Sequence, residues 1–136
     1  MAKEVALTVK CPHCSADFMD NNNMINNHPG IKLNIETTDG KKGTIWLSSI
    51  YGDYNYSCNF QIPPNEVVEF LCPSCNKNLR RRNITCEVCG APIVSLLVDV
   101  GGRVNICSRN GCKNHYIIFE DLDTIIRKFY SEYGYH

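Results

Sequence analysis

The sequence predicts a small, mostly-β protein organised around two metal sites, with an antiparallel meander inserted into the first unit and an α-helix at the C-terminus. Three observations predict this. Eight of the nine cysteines fall into four close pairs. Several segments alternate apolar and polar residues with the period of two that marks a strand. The last stretch repeats apolar residues with the helical period.

The cysteine pairs are Cys11/Cys14 (CPHC), Cys72/Cys75 (CPSC), Cys86/Cys89 (CEVC) and Cys107/Cys112 (CSRNGC). C-x-x-C spacing lets both sulfurs of one tight turn face one tetrahedral ion. Ser15, Asn76 and Gly90 follow the second cysteine of three pairs. Asn and Gly there accept the left-handed backbone such a turn needs, and Pro12 and Pro73 fix φ inside two of the turns. The opening MAKEVALTVK has no apolar signal core, so a reducing, cytoplasmic setting is expected, where thiols bind metal rather than form disulfides. Burial alone gives cysteines no reason to pair. A run such as C-x2-C-x2-C, common in iron–sulfur clusters, is absent. The expected cofactors are two Zn2+ ions, with iron at one or both sites as the alternative, since both accept four thiolates.

Four pairs can form two sites in three ways. The sequential arrangement joins Cys11/Cys14 with Cys72/Cys75, and Cys86/Cys89 with Cys107/Cys112. Its second site reads C-x2-C-x17-C-x4-C, within the usual zinc window. The nested arrangement needs a hairpin from NKNLRRRNIT, which lacks apolar alternation. A crossed arrangement ranks second to the sequential one. The first sequential site closes over the 57 residues from Ser15 to Leu71. Relative to the 17-residue loop, that costs only about 1 kcal/mol of additional closure entropy.

Along the chain, residues 19–30 (MDNNNMINNHPG) are polar and read as a long loop. Ile31, Leu33 and Ile35 alternate with polar residues as a strand, and TTDGKKG is a turn. Thr44 to Leu47 is rich in strand formers. Tyr54, Tyr56, Cys58 and Phe60 occupy one face of a third run, expected to be a core face with Cys58 a buried free thiol. Pro63-Pro64 ends that run, and Glu66 to Leu71 returns to the second cysteine pair. The expected meander spans about 30–70, inside a first unit of residues 1–76. The second unit, 77–136, holds a strand from Pro92 to Val100, a Gly101-Gly102 turn, a return strand from Arg103 to Cys107 and a third strand from Tyr116 to Phe119. Leu122, Ile125, Ile126, Phe129, Tyr130 and Tyr133 then form a helical stripe, with Asp121 as N-cap and Gly134 as stop.

The segments VKCPHCSADF, EFLCPSCNKNL and ITCEVCGAPIV resemble the knuckles of the zinc-ribbon (rubredoxin-like) group. The resemblance covers roughly residues 8–16 and 70–119. It implies two zinc-ribbon-like units with the eight paired cysteines as ligands. The insertion has no counterpart, and the C-x4-C of the fourth pair departs from the plain pattern. That departure raises His115, three residues past Cys112, as a substitute ligand; the paired cysteines are preferred.

Charge and motifs bound the function. The chain is formally neutral, but each divalent ion held by four thiolates adds two negative charges to it. The basic cluster Lys77, Arg80, Arg81 and Arg82 lies between the two proposed centres and is read as offsetting them. Nucleic-acid contact through these four residues is the alternative, extended by Arg103, Arg109 and Lys113. The longest apolar run, Ile93 to Val98, is too short to cross a membrane. There is no catalytic motif of the G-x-S-x-G, phosphate-loop or dinucleotide type, and four-thiolate sites leave no open position for substrate. The expectation is a non-catalytic zinc-binding interaction module or accessory protein whose partner is another protein, compatible with a small subunit of a larger enzyme. The alternatives are a nucleic-acid-binding protein and a rubredoxin-like electron carrier.

Overall fold

The computed structural model describes residues 6–99, 101–112 and 115–118, the last four by their backbone alone. The helix expected after residue 119 lies outside the described residues. The described residues hold ten strands and no helix.

The strands make two five-stranded antiparallel sheets. The first is built on β3 (His28–Glu36). One edge of β3 pairs along Ile31–Glu36 with β4 (Lys42–Leu47), which in turn pairs with β5 (Tyr56–Cys58). The other edge is shared by β2 (Met19–Ile25) and β6 (Glu69–Leu71). The second sheet is built on β8 (Pro92–Val98). One edge of β8 pairs with β9 (Arg103–Cys107), which pairs with β10 (His115–Ile118). Its other edge is shared by β1 (Val9–Lys10) and β7 (Arg80–Thr85). The chain therefore crosses between sheets twice, from β1 to β2 and from β6 back to β7.

Strand alternation sorts the core. Leu33, Ile35 and Ile45 point from the first sheet, and Val94, Leu96, Val98 and Val104 from the second, into one buried cluster. Each fully buried aliphatic side chain of this kind contributes about 1.5–3 kcal/mol. A smaller cluster of Ala91, Ile93, Cys86 and Cys107 sits at one end of the second sheet.

Three expectations are corrected. Residues 19–30 are not a loop: they form β2 and the start of β3, joined at Asn26-Asn27, whose φ values are 51° and 69°. A two-residue hairpin turn of the favoured hand needs positive φ at both positions, and Asn tolerates it better than most residues. The segment is polar because β2 is largely exposed. The arginine-rich stretch 80–85 is likewise a strand; β7 is an irregular edge pairing at Arg80↔Val94 and Thr85↔Pro92. Finally, Tyr54 and Tyr56 are not under the sheet. They are 38% and 43% exposed, while Cys58 and Phe60 are partly buried against the core.

Phe60 folds over Gly43 on β4, and Lys41 Nζ sits 5.2 Å from the Phe60 ring centre. A methyl group on Gly43 would collide with that ring and with Asn59 Oδ1, which also accepts the Thr44 N–H at 3.1 Å. This close approach is why a glycine interrupts the strand. Gly43→Ala is expected to lower stability by about 1–3 kcal/mol through overpacking. The check is the denaturant midpoint, with metal content unchanged.

Candidate metal centres

The first three knuckles share one backbone design. The N–H of Cys11, Cys72 and Cys86 bonds to the carbonyl of Ala16, Lys77 and Ala91, and the N–H of Ser15, Asn76 and Gly90 returns to the carbonyl of the first cysteine. Ser15, Asn76 and Gly90 have φ of 63°, 61° and 78°, the left-handed geometry expected at these positions. Inside each turn an amide N–H points at the first sulfur: His13 N to Cys11 Sγ at 3.3 Å, Ser74 N to Cys72 Sγ at 3.3 Å and Val88 N to Cys86 Sγ at 3.4 Å. The fourth turn is longer, yet Arg109 N approaches Cys107 Sγ at 3.5 Å in the same way. Such N–H groups favour the thiolate form.

The eight cysteines gather into two groups, Cys11, Cys14, Cys72 and Cys75, and Cys86, Cys89, Cys107 and Cys112. The pairing is sequential. Within each group all four sulfurs lie within 4.8 Å of one another. In the first, Cys11–Cys75 and Cys14–Cys72 are 3.8 and 3.7 Å apart. In the second, Cys86–Cys112 and Cys89–Cys107 are 3.8 and 3.3 Å apart. A tetrahedron with metal–sulfur bonds of about 2.3 Å has edges of about 3.8 Å. The donor set and its spacing thus fit a tetrahedral metal ion, and the distances are far from the roughly 2.0 Å of a disulfide.

The two groups do different structural work. The first holds both inter-sheet crossings, since knuckle one joins β1 to β2 and knuckle two joins β6 to β7. The second lies within one sheet, where knuckle three joins β7 to β8 and knuckle four joins β9 to β10.

Burial sets the thiol chemistry. Without a metal, burial pushes the Cys11 thiol up to about 12, and burial likewise raises Cys72 and Cys107. The exposed Cys14 is lowered to about 7, chiefly by the Ala16 N–H. Cys89 is lowered by the Ala91 N–H and then by the Arg109 guanidinium. A buried thiol holds its proton until a cation replaces it, so metal loading displaces protons.

Arg109 is a residue the sequence reading placed only at the margin of a basic patch. Here its Nη1 donates to Asn65 O at 3.0 Å and its guanidinium sits beside the Cys89 sulfur, which raises its own pKa. It supplies positive charge directly to the second group. Its place two residues after Cys107 was the available signal. Arg109→Gln is expected to weaken metal affinity at this site by about 10-fold or more, as for other outer groups that orient ligands. Competition with a chromophoric chelator checks this.

Other candidates fall elsewhere. Cys58 belongs to neither group. Its sulfur makes a long 3.9 Å contact with Asn59 Oδ1. Cys112 completes the second group, so His115 is not needed there. Arg80 and Arg82 are exposed, Arg81 is half-buried and Lys77 is exposed. Among the described residues none of these four side chains makes an ion pair. Lys113 lies outside the described residues. Comparison with family models, curated proteins and solved structures gives no match to this chain.

Proposed function

We propose that this chain is a non-catalytic interaction module whose fold is held by two zinc ions, each bound by four cysteine thiolates. The single observation behind this is the donor set: four sulfurs in each group and, among the described residues, no carboxylate or histidine joining them. Such a set occupies every tetrahedral position and leaves none for substrate or water. The metal then acts by holding the sheets, and the outer surface acts by binding.

The partner we favour is another protein. Tyr51 and Tyr54, on the connection from β4, and Tyr56, at the start of β5, are all exposed, and clustered exposed aromatics are typical of protein-binding surfaces. A photo-crosslinking amino acid at Tyr54 should give one discrete protein adduct that Tyr51→Ala abolishes. A ladder of unrelated adducts, unaffected by Tyr51→Ala, would count against it.

Exposed Arg80 and Arg82 on edge strand β7 favour a second reading, nucleic-acid binding. Its signature is retention of an oligonucleotide at low salt that falls steeply with added salt. Native mass spectrometry with elemental analysis tests the metal itself, and two equivalents of zinc per chain are expected. Iron at either site would instead give visible absorption after oxidation, as in an electron carrier.

A further inference from the structure

Between the two sheets lies a cavity of about 310 Å³. Its walls are apolar: Ile31, Ile45 and Phe70 face it from the first sheet, and Leu96, Val104 and Ile106 from the second. One rim is the stretch carrying Tyr51, Tyr54 and Tyr56. The fourth knuckle, Arg109 to Gly111, also lines it. Five large hydrophobic side chains are exposed among the described residues, and these three tyrosines are a majority of them. Together with the cavity they form a contiguous apolar surface of the kind that marks binding sites.

The rim is built to hold its shape. Asn110 Nδ2 donates to the carbonyls of Ile62 and Pro63, both at 3.1 Å, and the Tyr56 hydroxyl donates to Asn110 Oδ1 at 3.3 Å. On the other side Ser49 Oγ donates to Pro29 O and Ser48 Oγ to Asp53 Oδ2. Asp53 also accepts from Asn26 and Asn55. Asp53 is thus committed to these donors, while Arg109 gives its Nη1 to Asn65 O and lies beside the Cys89 sulfur, with its Nε left without a partner among the described residues. Among the described residues the lining is therefore mainly aromatic and aliphatic, with Arg109 as its one cation.

We propose that this cavity is a binding site for an uncharged, hydrophobic small molecule. Size narrows the class. A dry cavity of about 150 Å³ takes a benzene molecule, so this one suits about two rings or a chain of eight to ten carbons. Its volume also falls within the range of about 300–1,000 Å³ found for ligand pockets. Charge narrows it further. Cys107 and Cys112 form part of the wall; with a divalent ion bound, their four-thiolate group would carry two negative charges, of which Arg109 offsets one, and the remaining negative charge disfavours an anion. The site shares Tyr51, Tyr54 and Tyr56 with the proposed protein-binding surface, but it is argued from the cavity and does not need that reading.

The test uses the full-length, metal-loaded chain and N-phenyl-1-naphthylamine, a neutral two-ring probe whose fluorescence rises in apolar surroundings. Saturable uptake at one equivalent is expected, with displacement by 1-decanol and at least tenfold weaker displacement by decanoate. Val104→Phe, which fills the cavity from β9, should weaken uptake at least tenfold. Tyr54→Ala, an exposed change that leaves the core untouched, should weaken it several-fold and keeps the test decisive if Val104→Phe does not fold. Absence of saturable uptake overturns the proposal, whatever fills the cavity instead. So does uptake indifferent to Tyr54→Ala, or decanoate competing as well as decanol.

Discussion

Cys72→Ser is expected to be the most damaging single substitution in the chain. Cys72 is fully buried and belongs to the group that clamps both crossings between the sheets. Serine removes a thiolate and leaves a hydroxyl that holds a metal ion poorly. A structural zinc contributes about 10–16 kcal/mol in small peptides, whereas a whole domain is typically stable by about 5–15 kcal/mol. If the ion is zinc, as proposed, its loss therefore matches or exceeds the whole net stability of a typical domain. The variant should keep one metal equivalent, lose its cooperative melting transition and shift the emission of Trp46, the single tryptophan. That residue reports on the first sheet: it sits on β4 and its indole N–H donates to Asp20 Oδ2 at 2.9 Å. A Cys72→Ser protein with two metal equivalents and an unchanged melt would remove the basis for the metal-clamp interpretation.

Cys86→Ser is expected to act more locally, and the contrast with Cys58→Ser gives the ligand assignment its sharpest test. The second group ties the ends of β7, β8, β9 and β10, all in one sheet. Its loss should remove one metal equivalent and the amide protection of β8 and β9, while Trp46 emission stays native. Cys58→Ser should leave both equivalents in place, because Cys58 lies in neither sulfur group. Its cost should stay within about 1 kcal/mol, as expected for a partly buried side chain with one weak contact. If Cys58→Ser released a metal ion, the sulfur grouping would be wrong.

The metal groups were legible because their chemistry is local. A C-x-x-C turn closes within six residues, so Cys11, Cys72 and Cys86 with Ser15, Asn76 and Gly90 fix each knuckle without help from the rest of the chain. Loop-closure entropy leaves the long insertion a minor cost, so the sequence favoured sequential over crossed pairing, and the structure groups the cysteines sequentially. The strands from Ile31 and from Pro92 were equally readable, since each has one face that must be dry. The strands that escaped notice are those whose pattern answers to something other than burial. β2 is polar because it is an exposed edge, and β7 is basic for the same reason. Tyr54 and Tyr56 alternate like a core face yet line a cavity mouth.

The sequence by itself determined which sulfurs share a turn, because short-range backbone geometry leaves them little choice; which turns meet was decided by the fold. Only the tertiary structure decided that the first set straddles two sheets, that Arg109 serves the second and that the tyrosines flank an apolar cavity. Those outcomes depend on which strand edges meet across long stretches of chain, and neither spacing nor periodicity encodes that.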